Sequence, residues 1–233
     1  MKKAGIFIFI AALGFGVVFA NLFSFGRVGA KVFNFSLEIG AVRGSGNLAT
    51  ETRSVSGFRS VETGGIFQVE ITAKRDFGVE VEADDNLLPY IRTEVRGGVL
   101  RIESEKRLRS GNPIRIRVSA PEIEKLDVSG VSNVTLDNVA NSVLTIEASG
   151  ASKVKVTGET VKFTVDVSGA SKINADALKT ENAQIDASGA SFVSVNVSGD
   201  LRSDVSGASR VVYAGTPTNI ITKKSGASSV SAE

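Results

Sequence analysis

Between residues 55 and 120, apolar and polar residues alternate with a period of two, in "FQVEIT" (67–72), "GVEVEA" (78–83), "VLRIES" (99–104) and "IRIRVSA" (114–120). Successive side chains of a strand point to opposite faces, so the pattern predicts half-buried strands with a charged outer face. Gly-Gly at 64–65 and 97–98 and Asn-Pro at 112–113 separate these runs as turns. "DDNLLPYI" (84–91) carries a helix-start signal in Asp84 and Asp85. It predicts one short helical turn before Pro89, whose N-terminus the two carboxylates stabilise as caps rather than as an acid–base pair.

From Glu124 onward the alternation acquires a longer period. Ser-Gly-Ala-Ser stands at 149–152, 168–171, 188–191, 206–209 and 225–228, with Ser-Gly-Val-Ser at 129–132, so the first serines are spaced by 20, 19, 20, 18 and 19 residues. A near-constant period of about 19 is the signature of a solenoid, in which each repeat buries its apolar face by stacking on its neighbours. The columns agree. Three residues before the serine stand Leu126, Ile146, Val165 and Ile185, with Ser203 as an exception, and one before stand Val128, Ala148, Val167, Ala187 and Val205. These are expected inside. Two before stand Asp127, Glu147, Asp166, Asp186, Asp204 and finally Lys223, which strand alternation places outside. After the tetrapeptide, Val134, Val154, Ile173, Val193, Val211 and Val230 form another inner column.

Each coil therefore reads as strand, tetrapeptide corner, strand and variable return. The prediction is an all-β chain: a single-stranded parallel β-helix with coils of about 19 residues, right-handed by the default of strand crossovers. Glycine in every repeat and frequent valine oppose helix. At the corner, Gly130, Gly150, Gly169, Gly189, Gly207 and Gly226 are expected to supply the bend, alanine to sit in the tight interior, and the serines to form a polar ladder. A row of serine nucleophiles is the competing reading. It needs an adjacent base, and a lysine such as Lys153 would have to serve six interchangeable copies.

The start of the chain has a different character. Met-Lys-Lys precedes an uncharged, mostly apolar run at residues 4–25 that is long enough to cross a bilayer as a helix. Residues 1–25 thus read as a membrane anchor with a cytoplasmic N-terminus, or as a signal peptide cleaved after Ala20. Either way the remainder is exported. Residues 26–54 read as a spacer with one short strand at 32–39, residues 55–123 as the N-terminal β part of the solenoid, and 124–233 as the repeat β-helix.

Composition narrows the chemistry more than it identifies it. The formal charge of +2 arises from 27 basic and 25 acidic residues scattered along the chain, with no basic block of the kind that neutralises a phosphate backbone, so no nucleic-acid partner is expected. There is no cysteine and no histidine, which removes disulfides, thiolate sites and the commonest general base and metal ligand. No cofactor and no catalytic residue are assigned. The one candidate binding feature is the acidic column Asp127, Glu147, Asp166, Asp186 and Asp204. Its neighbours would repel by roughly 1 kcal/mol per pair in water, a cost that basic neighbours, solvent or a divalent cation could offset.

The motifs as a set point to a family. "RSVSGFRSVETGGIFQVEIT" (53–72), "VEVEADDNLLPYIRTEVRGGVLRIES" (79–104), the serial "DVSGAS" and "EASGAS" units and the late "VYAGTP" (212–217) are similar to the putative autotransporter-adhesin head GIN domain family, DUF2807, over roughly residues 50–233. The resemblance implies a right-handed β-helix in a secreted or envelope-attached bacterial protein and supplies no binding residues. Three functions compete. The first is a non-enzymatic envelope or cell-surface module, adhesin-like or a scaffold, whose ligand is an unidentified protein or glycan. The second is the extracytoplasmic domain of a stress or signalling system, tethered to the membrane through residues 4–25. The third is a polysaccharide-active enzyme with its acid or base among Asp127, Glu147, Asp166 and Asp186; the absence of tryptophan and the presence of only Tyr90 and Tyr213 for stacking on sugars argue against it. Lys223 and Lys224 in the last repeat discourage pairing at the open edge, so a monomer is expected.

Overall fold

A computed structural model describes residues 40–233; the anchor or signal segment expected at 1–25 and the strand expected at 32–39 lie outside the described residues. From Ala41 the chain forms one compact unit. Strands begin within the stretch read as a spacer, as β1 (Val42–Arg43) and β2 (Leu48–Arg53). β3 (Ser60–Gly65) and β4 (Phe67–Thr72) follow, then β5 (Gly78–Asp84), a 3-10 turn at Leu88–Tyr90, β6 (Ile91–Arg96), β7 (Val99–Ser104), β8 (Leu108–Arg109) and β9 (Ile114–Ser119). The repeats supply β10 (Lys125–Gly130), β11 (Asn133–Ala148), β12 (Lys153–Val167) and β13 (Lys172–Ala187). β14 (Phe192–Val197), β15 (Asp200–Val205), β16 (Arg210–Gly215), β17 (Asn219–Lys224) and β18 (Ser229–Ala232) complete the chain.

The described residues form an all-β solenoid, whose six tetrapeptide corners bound about five turns. β10 to β18 stack in parallel register, Leu126 on Ile146 on Val165 on Ile185 on Ser203, and Val134 on Val154 on Ile173 on Val193 on Val211. Both columns are buried, as expected from alternation. Leu144, Phe163, Ala183 and Leu201 form a further inner column on the same side, two residues before the Ile146 column, and each fully buried large side chain contributes about 1.5–3 kcal/mol of apolar transfer. Ser203 breaks the apolar column next to the last coil, where its hydroxyl lies 3.0 Å from that of Thr222.

Residues 41–123 are arranged less simply than a run of coils. β3 and β4 form a coil directly beneath the first repeat, with Ser129 over Gly64 and Gly130 over Gly65. The next coil down is β7 with β9, which comes later in the chain. Beneath that, the strands turn antiparallel: β6 pairs with β7, β5 with β9, and β2 with β5. The lower end is thus covered by strands of reversed direction, which take up hydrogen bonds that a parallel coil would leave open.

Two expectations need correction. The helical turn includes Pro89 and has no side-chain cap. Asp84 is instead fully buried and accepts hydrogen bonds from Ser110 Oγ and Asn112 Nδ2, both at 2.7 Å. Those donors, together with the Gly46 amide, hold its carboxyl below the usual range. Asp85 bonds the Ser45 hydroxyl and the Asn86 amide. The pair therefore fastens β1 and β2 to the lower cap, because a buried carboxylate with three donors is satisfied without a helix.

Candidate functional site

The corner is the device that positions everything outside it. Gly169 has φ of 72°, and a Cβ there would lie 2.5 Å from the Gly150 carbonyl oxygen of the coil below. That same oxygen accepts the Ala170 amide at 2.8 Å, so the parallel ladder runs through the bend without a gap. The other corner glycines repeat the geometry, with φ between 71° and 77°. Glycine is demanded twice, by backbone conformation and by the close stacking of successive corners.

The alanine does not sit inside. Ala151, Ala170, Ala190 and Ala208 are exposed, and the second serine of each corner, Ser132, Ser152, Ser171, Ser191 and Ser209, is buried instead. The buried serine lies four residues after the last inner residue of the preceding strand and two before the first inner residue of the next, as Ser152 does between Ala148 and Val154, so alternation carries through the corner and leaves the alanine on the outer parity. The hydroxyls are occupied there: Ser152 Oγ donates to Ser149 O at 2.8 Å, Ser191 Oγ to Ser188 O at 2.9 Å, and Ser171 Oγ accepts the Ser152 amide at 3.3 Å. They close the turn. They are not nucleophiles aimed at solvent.

On the face before the corner, the acidic column is assembled as expected and is longer than the repeats alone indicate. Glu62 lies beneath Asp127, followed by Glu147, Asp166, Asp186 and Asp204, with Arg101 beneath Glu62 and Lys223 above Asp204. Cations close both ends. Arg101 Nε is 3.1 Å from Glu62, and Lys125 Nζ is 2.6 Å from Glu147. Asp127 has its carboxyl pushed up by partial burial first, then by Glu147 and Glu62, with Lys125 opposing. Among the described residues, no three acidic side chains converge closely enough to hold a metal ion. Glu62 escaped detection because no tetrapeptide marks its coil. The signal was the Gly64-Gly65 pair, which occupies the Ser-Gly positions of a corner.

The face after the corner carries the opposite sign. Lys153, Lys172, Phe192 and Arg210 occupy one outward column on successive coils, with Lys155, Asn174 and Ser194 in the next. The Lys172 ammonium lies 5.0 Å from the centre of the Phe192 ring. All four cations are exposed, and none forms an ion pair among the described residues. Bases that look scattered along the sequence are thus a stripe in space, because residues one coil apart in the chain are neighbours across the sheet.

On the return side lies a trough of about 740 Å³ lined by Asn141, Thr160, Thr180 and Lys179, among others. Its polar groups are engaged within the fold: Asn141 Nδ2 donates to Ile123 O at 2.7 Å, and Thr160 Oγ1 donates to Asn141 Oδ1 at 2.8 Å.

Comparison with solved structures matches this architecture. A "putative adhesin" from Bacteroides fragilis superposes with a TM-score of 0.68 at 18% identity, covering 83% of this chain and 100% of that one. A "putative lipid binding protein" from Parabacteroides distasonis gives 0.52 at 18% identity, with the same coverage. At such identities the likeness concerns the fold. No curated protein sequence matches the chain. The family model described as "Putative auto-transporter adhesin, head GIN domain" matches residues 57–217, and the solenoid built on stacked Ser-Gly-Ala-Ser corners belongs to that family.

Proposed function

We propose that this protein is an exported, non-enzymatic adhesin-like module, held at the membrane through residues 4–25 or released after their cleavage, that uses the outer faces of its solenoid to bind an envelope or surface ligand. The observation that carries this reading is the division of labour between inside and outside. The interior columns are filled by apolar side chains and backbone-bonded serines, whereas the outer columns hold charges of one sign that the fold leaves largely unpaired. Membership of an adhesin-named family supports export and surface binding, and the two structural relatives are named as an adhesin and a lipid binding protein rather than as enzymes. Against catalysis, the ladder carboxylates are near-equivalent copies with no distinct acid and base among them.

The test is retention of the full-length protein, in detergent, on immobilised glycans and surface proteins, with release of reducing ends assayed in parallel. Retention without turnover is expected. Turnover of a polysaccharide abolished by a single substitution such as Asp166→Asn would replace the binding reading with an enzymatic one.

A further inference from the structure

We propose that the stripe of Lys153, Lys155, Lys172 and Arg210, with Phe192 in its midst, is a binding face for a linear acidic polysaccharide. The inference rests on the adhesin reading and narrows it to one face and one class of ligand. The first argument is charge. Lys153 and Lys155 share one coil, Lys172 lies on the next and Arg210 two coils beyond it, at a coil spacing of about 4.8 Å, and no carboxylate within the described residues neutralises them. A chain of carboxylated or sulfated sugars running along the stack would present an anion to each in turn, with Arg210 offering paired donors to a carboxylate.

The second argument is independent of charge. Ser194 lies on the outward row beside Phe192, is 4% exposed, and its hydroxyl has no hydrogen-bond partner. A buried hydroxyl without a partner is costly, and a sugar hydroxyl or ring oxygen seated over the sheet would satisfy it. Phe192 is the one aromatic in this outward column, half-buried and already engaged by the Lys172 ammonium, so it can take the apolar face of a sugar ring beside a cation. Nucleic acid fits less well. Single strands are held by successive aromatic platforms, and only one is present in this column. A duplex wide enough to overhang the corner would meet the acidic ladder on the adjoining face.

The full-length protein in detergent is titrated with alginate oligomers, a linear polyuronate, with neutral dextran of matched length and with single-stranded oligothymidylate, each at low and at physiological salt. Binding of alginate but not dextran is expected, weakening as salt rises. Lys153→Gln combined with Lys172→Gln and Arg210→Gln should cost about tenfold or more in affinity and flatten the salt dependence. Phe192→Ala should weaken alginate binding while leaving the salt slope unchanged, and Asp166→Asn with Asp186→Asn and Asp204→Asn should not weaken it. All these positions face outward, and unchanged thermal melts would show that the variants fold. Absence of alginate binding, binding insensitive to the three cations, or tighter capture of oligothymidylate would overturn the proposal. Capture of neutral glycans alone would overturn the acidic-polysaccharide assignment and leave the adhesin reading standing. Capture of no glycan, surface protein or cell by the full chain would remove both.

Discussion

The lower part of the molecule, residues 41–124, and the repeat coils above it solve the same problem of charged outer faces in opposite ways. In the lower part, Glu80 faces Arg117 and Glu82 faces Arg115 across the antiparallel pair β5–β9, and Arg117 also reaches Glu70 on the coil above. Among the ion pairs of the described residues, only Lys125 with Glu147 joins two repeat coils. The difference follows from symmetry. In-register parallel stacking of near-identical repeats puts each residue over its own copy, so acid falls on acid and base on base. Antiparallel strands of unlike sequence are free to set acid against base. Repetition thus simplifies the core and leaves the surface with uncompensated stripes, and those stripes are what an adhesin can use.

The comparison can be sharpened first in the core. Phe163, fully buried in the middle of the stack, should cost about 3–5 kcal/mol on change to Ala, whereas Ile220, 44% exposed in the last complete turn, should cost less than about 1 kcal/mol. Urea denaturation of the two variants measures the gap, and equal losses would show that the final coil is packed as tightly as the centre. Corner glycines come next. Gly169→Ala meets both left-handed strain and the Gly150 carbonyl, for an expected loss of about 2–4 kcal/mol. Gly97→Ala in the β6–β7 turn shares the positive φ but has open space around its Cβ, for a loss of about 1 kcal/mol.

Surface charge should then separate the two regions by sign. Arg117→Gln removes a cation shared by three glutamates and should destabilise slightly, read as a small fall in melting temperature limited by its exposure to solvent. Asp166→Asn, in the middle of the like-charged ladder, should be neutral or stabilising. A loss at Asp166 similar to that at Arg117 would show that the ladder is compensated in solution.

The smallest effect is one of pH. Asp84 is held below its ordinary carboxyl range, so its contribution is present above about pH 4 and is lost as pH falls further. Asp127 is shifted upward, so the folded state binds its proton more readily than the unfolded chain. Its unfavourable contribution is therefore full at neutral pH and is relieved on acidification. Thermal melts should show Asp84→Asn less stable than the parent at neutral pH, with the difference narrowing below about pH 4. Asp127→Asn should be at least as stable as the parent at neutral pH, with its difference vanishing in acid. Parallel pH curves for the two variants would contradict the opposite environments.

Much of this was readable before the fold was known. Column by column, the inner valines and isoleucines, the corner glycines and the five-residue acidic ladder stand where periodicity predicts them. The alanine and the second serine were exchanged, because small size was taken as the reason to be inside; counting alternation through the corner, from Ala148 to Ser152 to Val154, places the serine inward. Asp84 was misread because an acidic pair before a proline looks like a helix start, and its true donors, Ser110 and Asn112, are more than twenty residues away. The β5–β9 pairing was not read from the sequence, although "VEVE" and "IRIR" carry its signal, an all-acid outer face and an all-base one being natural partners across strands.

Where each strand's neighbour is the same strand one repeat later, local pattern and tertiary contact carry the same information. The sequence by itself therefore determined the strands, the period, the inner columns and the corners of the repeat half. Only the tertiary structure decided that β7 and β9 slide beneath β3 and β4, that the lower end is closed by reversed strands, and that distant lysines gather into a stripe. Those outcomes depend on which chain segments become neighbours, a choice made by the joint burial of apolar faces and the pairing of edges across long sequence separations.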